Sequence, residues 1–324
     1  MILLFCEWMK KSVGIGIHWT SMSALIGGEN LSYQKAVDQF QVDHFISSLQ
    51  RAGADHCLLT LTHAEQYMAF PNEPLERLLA GRTTKRDLIG EIATGLHERG
   101  IRLILYYNHS CNSEDPMWNN SCGYSAGQNG NLDGFAQNIC DIVEFTALRY
   151  GELLSGWWFD SSSTIDPSGP RNTVSCDMGS WRFPWAKLRK AAKAGSEACA
   201  VCFNAGVGSN YLYYPDQDYY AGETVVLDEV FEPEEKQGIV SHRWICMDNV
   251  DWVFDTQSAR RGFADPRFTT EDVTRFVRNN IMNGRMTTFN MEVDQLGRIN
   301  PKSLSQFAEM KDRINAYGLS GSSR

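Results

Sequence analysis

Short apolar runs alternate with amphipathic stretches along most of the chain. The runs Val13 to His18, His56 to Thr62, Ile101 to Tyr107, Ser155 to Asp160, Cys199 to Asn204 and, less regularly, Arg285 to Asn290 have the length and apolar density of buried strands. Between them the apolar period lengthens to that of helices. Val42 to Ala52 is one such stretch, and Arg86 to Glu98 sets Leu88, Ile89, Ile92, Ala93 and Leu96 on one face. Leu132 to Tyr150 stops at Gly151, Pro184 to Ala194 is short with a basic end, and Thr270 to Met282 opens on a capping sequence, Thr-Thr-Glu-Asp. Strand and helix in alternation predict a parallel α/β sheet, open or closed. A closed (β/α)8 barrel, regular or irregular, fits if two more strands lie between Tyr211 and Trp252.

The polar residues that end these runs carry the next inference. Strand-like segments close on Gly16-Ile17-His18-Trp19, Leu61-Thr62-His63, Tyr106-Tyr107-Asn108-His109, Trp157-Trp158-Phe159-Asp160 and Phe203-Asn204. Aromatic and ionisable side chains therefore collect at C-terminal strand ends, the edge on which parallel sheets and barrels build their sites. Asp160 stands out, because it follows two tryptophans and a phenylalanine, where a carboxylate is costly unless it is bonded or used. The competing reading makes it a helix N-cap for the Ser161 to Ser163 turn. A facing carboxylate would come from the acidic stretch that contains Asp218, Glu223, Asp228, Glu229, Glu232, Glu234 and Glu235. Glu223 has the most aromatic company there, after Tyr219-Tyr220-Ala221-Gly222.

Composition narrows the field without choosing within it. The 324 residues carry 39 acidic against 30 basic side chains, a net charge of -9, which opposes nucleic-acid or anionic-membrane binding. No apolar run approaches the ~20 residues of a membrane span. The nine cysteines are scattered through apolar runs, as reduced core cysteines are, and the one CxxC, Cys199 to Cys202, has no second pair. The start, with Ile2 to Phe5 ahead of its lysines, reverses the order of a secretory signal, so a cytoplasmic location is expected unless a leader precedes the chain. Gly14-Ile15-Gly16 lacks the third glycine of a dinucleotide loop, Gly27-Gly28 lacks the Lys-Ser/Thr of a P-loop, and the histidines show no metal-ligand spacing. No cofactor and no metal are expected.

These motifs, in this order, resemble the catalytic domain of the α-L-fucosidases of glycoside hydrolase family 29. Gly16-Ile17-His18-Trp19 is similar to that family's first-strand Gly-x-x-His-Trp-Gly, with Thr20 in place of the last glycine. Leu59 to His63 resembles its second strand, with Ala64 replacing the second histidine of a pair. Trp158-Phe159-Asp160 resembles the segment that supplies the nucleophile, and Asp218 to Glu223 the stretch that supplies the acid/base. Asn283-Gly284 to Asn290 and Gly297-Arg298-Ile299 resemble its closing block. The family's Asn-x-Arg reads Asn204-Ala205-Gly206 here, leaving Arg243 or Arg171 as stand-ins for the arginine. The long separation of Asp160 from Glu223 implies an insertion.

The resemblance implies a single catalytic barrel domain over residues 1–324, core about 13–315, without a C-terminal β-sandwich. It implies a retaining exo-glycosidase acting on terminal α-L-fucosides, or on close relatives such as α-L-galactosides, in fucosylated oligosaccharides or glycoconjugates. Asp160 and Glu223 would be catalytic. His18, Trp19, His63, Glu65, Tyr107, Trp158, Asn204 and Trp244 would bind substrate, with His18, His63 and Tyr107 hydrogen-bonding the glycone and the tryptophans packing on it. The rival readings are a carbohydrate-binding pseudoenzyme on the same barrel and an unrelated barrel enzyme that uses Asp160 as a base.

Overall fold

The computed structural model describes residues 6–111, 115–125, 132–248 and 251–319, so the apolar start at Ile2 to Phe5 lies outside the described residues. Seven strands form one parallel sheet: β1 Val13–Ile17, β2 His56–Thr62, β3 Arg102–Asn108, β4 Leu154–Asp160, β5 Ala200–Phe203, β6 His242–Cys246 and β7 Met286–Met291. Their order is β5-β4-β3-β2-β1-β7-β6, so β1 lies between β2 and β7. The expected strands are all present. So are the expected helices, at Val42–Ala52, Leu88–His97, Asp133–Tyr150, Trp185–Ala192 and Thr270–Met282.

The β5 and β6 edges are joined by residues 218–224, a short, irregular eighth strand. Asp218 N donates to Val201 O on β5 at 2.8 Å; on the other side, Tyr220 N donates to Val240 O, Trp244 N to Gly222 O and Thr224 N to Trp244 O, each at 2.9 Å. Parallel bridges pair Tyr219 with Val240 and Glu223 with Trp244. The ring closes in chain order, as a (β/α)8 barrel does, with its two extra strands where the sequence left room. Two features hold this segment in place. Asp218 is buried, accepts from Val201 N, and pairs with Arg189 at 2.9 Å and Lys193 at 3.0 Å. Gly222 takes φ +70°, and a Cβ there would fall 1.8 Å from His242 O, so only glycine allows the close approach.

Alternation along each strand divides the core in two. Ile15, Leu59, Leu105, Tyr107, Trp157, Phe203 and Phe289 face outward, into the layer shared with the helices. Leu58, Ile104, Tyr106, Trp158, Cys202, Tyr219, Trp244 and Met286 fill the barrel interior. Cys199 and Cys202 belong to opposite layers, so the CxxC does not converge on a common point. Gly14 and Gly16 also have a packing role. A Cβ on Gly14 would strike His56, and one on Gly16 would lie 2.6 Å from Trp244 Nε1. Near the N-terminal ends of the strands, Thr288 Oγ1 bonds both His56 Nε2 and His242 Nε2 at 2.7 Å, while His56 Nδ1 bonds Ser12 Oγ at 2.8 Å. Burial pushes the His56 imidazole down to about 3 and His242 well below its ordinary range. Among the described residues no helix is long and apolar enough to cross a membrane, and no β-sandwich follows the barrel.

Candidate active site

At the C-terminal mouth of the barrel the half-buried carboxylate of Asp160 ends β4. Tyr106 Oη donates to its Oδ2 at 2.5 Å, and Asn204 Nδ2 donates to its Oδ1 at 2.9 Å. Both oxygens are thus held by side chains, and the turn that follows, Ser162–Thr164, is entered through Ser161 with no side-chain cap. The N-cap reading of Asp160 does not hold.

Asn204, just after β5, makes a second contact. The same Nδ2 donates to Glu223 Oε2 at 2.7 Å. One amide nitrogen between two carboxylates limits the separation of the bonded oxygens to the 2.9 and 2.7 Å bonds laid end to end. Burial, then the charge of Asp160, pushes the Glu223 carboxyl up to about 7, against smaller opposing effects of Asn204 and Arg171. Glu223 therefore keeps its proton to a higher pH than an ordinary carboxyl. The other acidic candidates are placed differently: Asp218 is tied to Arg189 and Lys193, and Glu235 pairs with Arg243 at 2.6 Å and Arg285 at 3.2 Å.

The remaining candidates divide by the parity of their strands. His18 follows β1, stacks on Trp244 at 5.2 Å and meets Tyr106 and His63 at 4.9 and 5.5 Å. Asn290 fixes its tautomer. Asn290 Nδ2 donates to Trp252 O at 3.0 Å, so the Oδ1 that lies 2.8 Å from His18 Nδ1 is the acceptor and His18 donates. Burial first, then His63, pushes the His18 imidazole down to about 3, which leaves Nε2 as a neutral acceptor. His63 stacks on Tyr106 at 5.8 Å. Trp158 and Trp244 lie beneath this group, meeting edge to face at 4.7 Å, with Trp158 Nε1 spent on Ala221 O.

Four expectations need correction. Tyr107 points outward, donates to Gln66 Oε1 at 3.3 Å and packs on Phe159. The tyrosine at Asp160 is its neighbour Tyr106, because Tyr106 pairs with Trp158 and Asn108 with Asp160 across β3 and β4, which fixes the inward face. Trp19 is likewise on the outward face, against Tyr33 and Phe40, with Nε1 donating to Gln295 O. Glu65 is exposed on the loop after β2, where it accepts from Ser21 Oγ, and makes no contact with the carboxylate pair. Arg243 faces Glu235 and Phe231 outside the barrel, so it is no stand-in for the missing arginine. The sequence reading missed Tyr106 as a site residue, and it missed Asn290 and Trp252 there too. Parity along β3 picks out Tyr106 only once its register against Asp160 is known. Trp252, half-buried at φ +58° and 5.3 Å from His18, arises in an irregular loop that leaves no pattern to read.

A pair of carboxylates this close, one held as an acceptor and one with its proton affinity raised, at the mouth of a parallel barrel, is the equipment of a glycoside hydrolase. The family model for α-L-fucosidase matches residues 5–318, and the chain belongs to that family. A sequence comparison with curated proteins returns no match. Among solved structures the fold is similar to an endo-fucoidan hydrolase of glycoside hydrolase family 107 (TM-score 0.72, 16% identity, 98% of this chain and 54% of that one). It is also similar to the α-L-fucosidase AlfC of Lactobacillus casei in complex with α-L-fucose (TM-score 0.64, 15% identity, 97% and 98%). A family 29 α-L-fucosidase of Bacteroides thetaiotaomicron gives TM-score 0.64 at 12% identity, over 97% and 74%. The chain thus spans about half the length of the fucoidan hydrolase.

Proposed function

We propose that the chain, as one catalytic barrel, hydrolyses terminal α-L-fucosides, or α-L-galactosides of the same configuration, with retention at the anomeric carbon. The observation that carries this reading is the Asn204 amide bonded to both carboxylates. Its span suits the ~5–5.5 Å separation of retaining enzymes and falls short of the ~6.5–9.5 Å that leaves room for water in inverting ones. Asp160 attacks the anomeric carbon as Glu223 gives its proton to the departing oxygen. Glu223 then takes a proton from water, which opens the glycosyl ester and frees Asp160. Tyr106 and Asn204 orient the nucleophile. The His18 Nε2 lone pair accepts from a glycone hydroxyl, and Trp252 offers an apolar face for the 6-deoxy carbon.

The test is a fluorinated slow substrate, 2-deoxy-2-fluoro-α-L-fucosyl fluoride, followed by intact-mass spectrometry and peptide mapping. The expected result is one added glycosyl unit, on Asp160. No adduct, together with β-L-fucose as the first product from an aryl α-L-fucoside by proton NMR, would show inversion. Sugar binding without turnover would favour the pseudoenzyme. Release of oligosaccharides instead of free sugar from a fucan would mean cleavage within chains.

A further inference from the structure

The β4 strand is followed by a long excursion, residues 161–184, before the next helix at Trp185–Ala192. It brings an exposed arginine, Arg171, onto the turn that follows Asn204. The fit depends on Gly206, which has φ +95° and would direct a Cβ to 3.0 Å from Arg171 Nη1 and 3.1 Å from its Cδ. The bare backbone at Gly206 is thus the floor on which the guanidinium rests. One donor, Nη2, reaches Val207 O at 3.3 Å, and among the described residues Arg171 forms no ion pair. Its charge is felt at Glu223, where it opposes the effects of burial and of Asp160. The nearby Glu229 lies against Gly208, further round the turn.

A guanidinium with unspent donors on Gly206 and Val207, in the turn whose Gly208 N donates to Glu223 O at 2.9 Å, is positioned to meet what leaves, not the sugar held over Asp160. We propose that Arg171 forms an anion-recognising subsite for the leaving group, selecting substrates in which an oxyanion, a sulfate ester or a carboxylate, lies next to the scissile bond. The planar fork of arginine matches both anions. This inference rests on the hydrolase reading above, and deepens it by naming what the site prefers beyond the bond.

The experiment compares three aryl α-L-fucosides of matched leaving-group pKa: one neutral, one with a ring carboxylate and one with a ring sulfate ester. The readout is the ratio of kcat/KM, anionic over neutral, within each enzyme preparation, so partial folding of a variant cancels. The wild type should favour at least one anion by about 10-fold, the size expected of one charge-assisted contact. That preference should shrink in 1 M salt, where charges are screened beyond ~3 Å. Arg171→Gln should bring the ratio to near one, Arg171→Glu should invert it, and Arg171→Lys should keep part of it. The two anionic substrates tell a sulfate site from a carboxylate site. A wild-type ratio near one, or an undiminished ratio in Arg171→Gln, overturns the subsite. If no fucoside turns over, the same glycosides are titrated for binding. The Arg171→Gln ratio then still decides this inference, and the missing turnover counts against the hydrolase reading alone.

Discussion

Asp160 and Glu223 are held by two differently built parts of the barrel. From β1 to β4, each strand of five to seven residues is followed by helix and the next strand pairs beside it in unbroken or once-shifted parallel register. From Asn204 to β6 there is no helix, and the intervening strand is made of a few backbone bonds and two bridges. The nucleophile candidate thus stands on continuous sheet and the acid candidate on an irregular strand wedged between two short ones. Asn204 ties the two parts together. The regular part fixes a position. The irregular part sets an environment, since it buries Glu223 against Asp160 while keeping its backbone close to β6.

Substitutions that separate the two parts give the sharpest tests. Asp160→Ala, on the regular side, should lower kcat on an aryl α-L-fucoside by about 10^4-fold or more, and turnover that survives it would remove Asp160 from the mechanism. Glu223→Ala, on the irregular side, should cost about 10^2–10^4-fold on a poor leaving group and much less on a good one; equal loss on both would point to another acid. Gly222→Ala leaves both carboxylates in the chain but drives a methyl into His242 O. It should destabilise the fold by about 1–3 kcal/mol, lower the melting temperature and reduce kcat. An unchanged kcat would mean that the close approach does not position Glu223. Tyr106→Phe, which removes a donor to a charged oxygen, should cost about 10-fold or more in kcat, whereas Tyr107→Phe should act on stability and leave kcat nearly untouched. The reverse pattern would undo the strand parity.

The pH profile is the mildest test and bears on the irregular side alone. Glu223 must be protonated to act as an acid, and its folded carboxyl is raised to about 7, so kcat/KM should fall as pH rises through about 7. The linked stability has the same sign. Between the ordinary value of 4.5 and about 7 the folded state holds a proton that the unfolded chain has lost, so Glu223 lowers stability as pH rises through this window. Glu223→Gln should therefore raise the melting temperature more at pH 8 than at pH 4, and a pH-independent effect would deny the shift.

The same contrast explains how much could be read from the sequence. Buried parallel strands read as apolar runs, and His56 to Thr62 coincides with β2. The helix at Thr270–Met282 announces itself by its capping Thr269. Asp160 was legible because it ends such a run. The eighth strand was not, because the residues from 218 to 224 alternate in no clean way and take their place from Asp218's ion pairs and Gly222's missing side chain, neither of which is a local pattern. Tyr106 and Tyr107 show the limit most simply. Identical side chains in adjacent positions differ only in which face they occupy, and composition is blind to that until a neighbouring strand's register is known.

The opposite end of the barrel is held by a row of four polar side chains. Thr288 offers a single hydroxyl hydrogen to His56 and His242. If it gives that hydrogen to one ring, the other ring must give its own hydrogen to the threonine. Ser12, His56, Thr288 and His242 thus form a directional row, in which reversing any one bond reverses the others. An extra proton on His56 would make both its nitrogens donors, to Ser12 and Thr288, and fix the row in one direction. Burial, which pushes both imidazoles down, is what keeps that proton out.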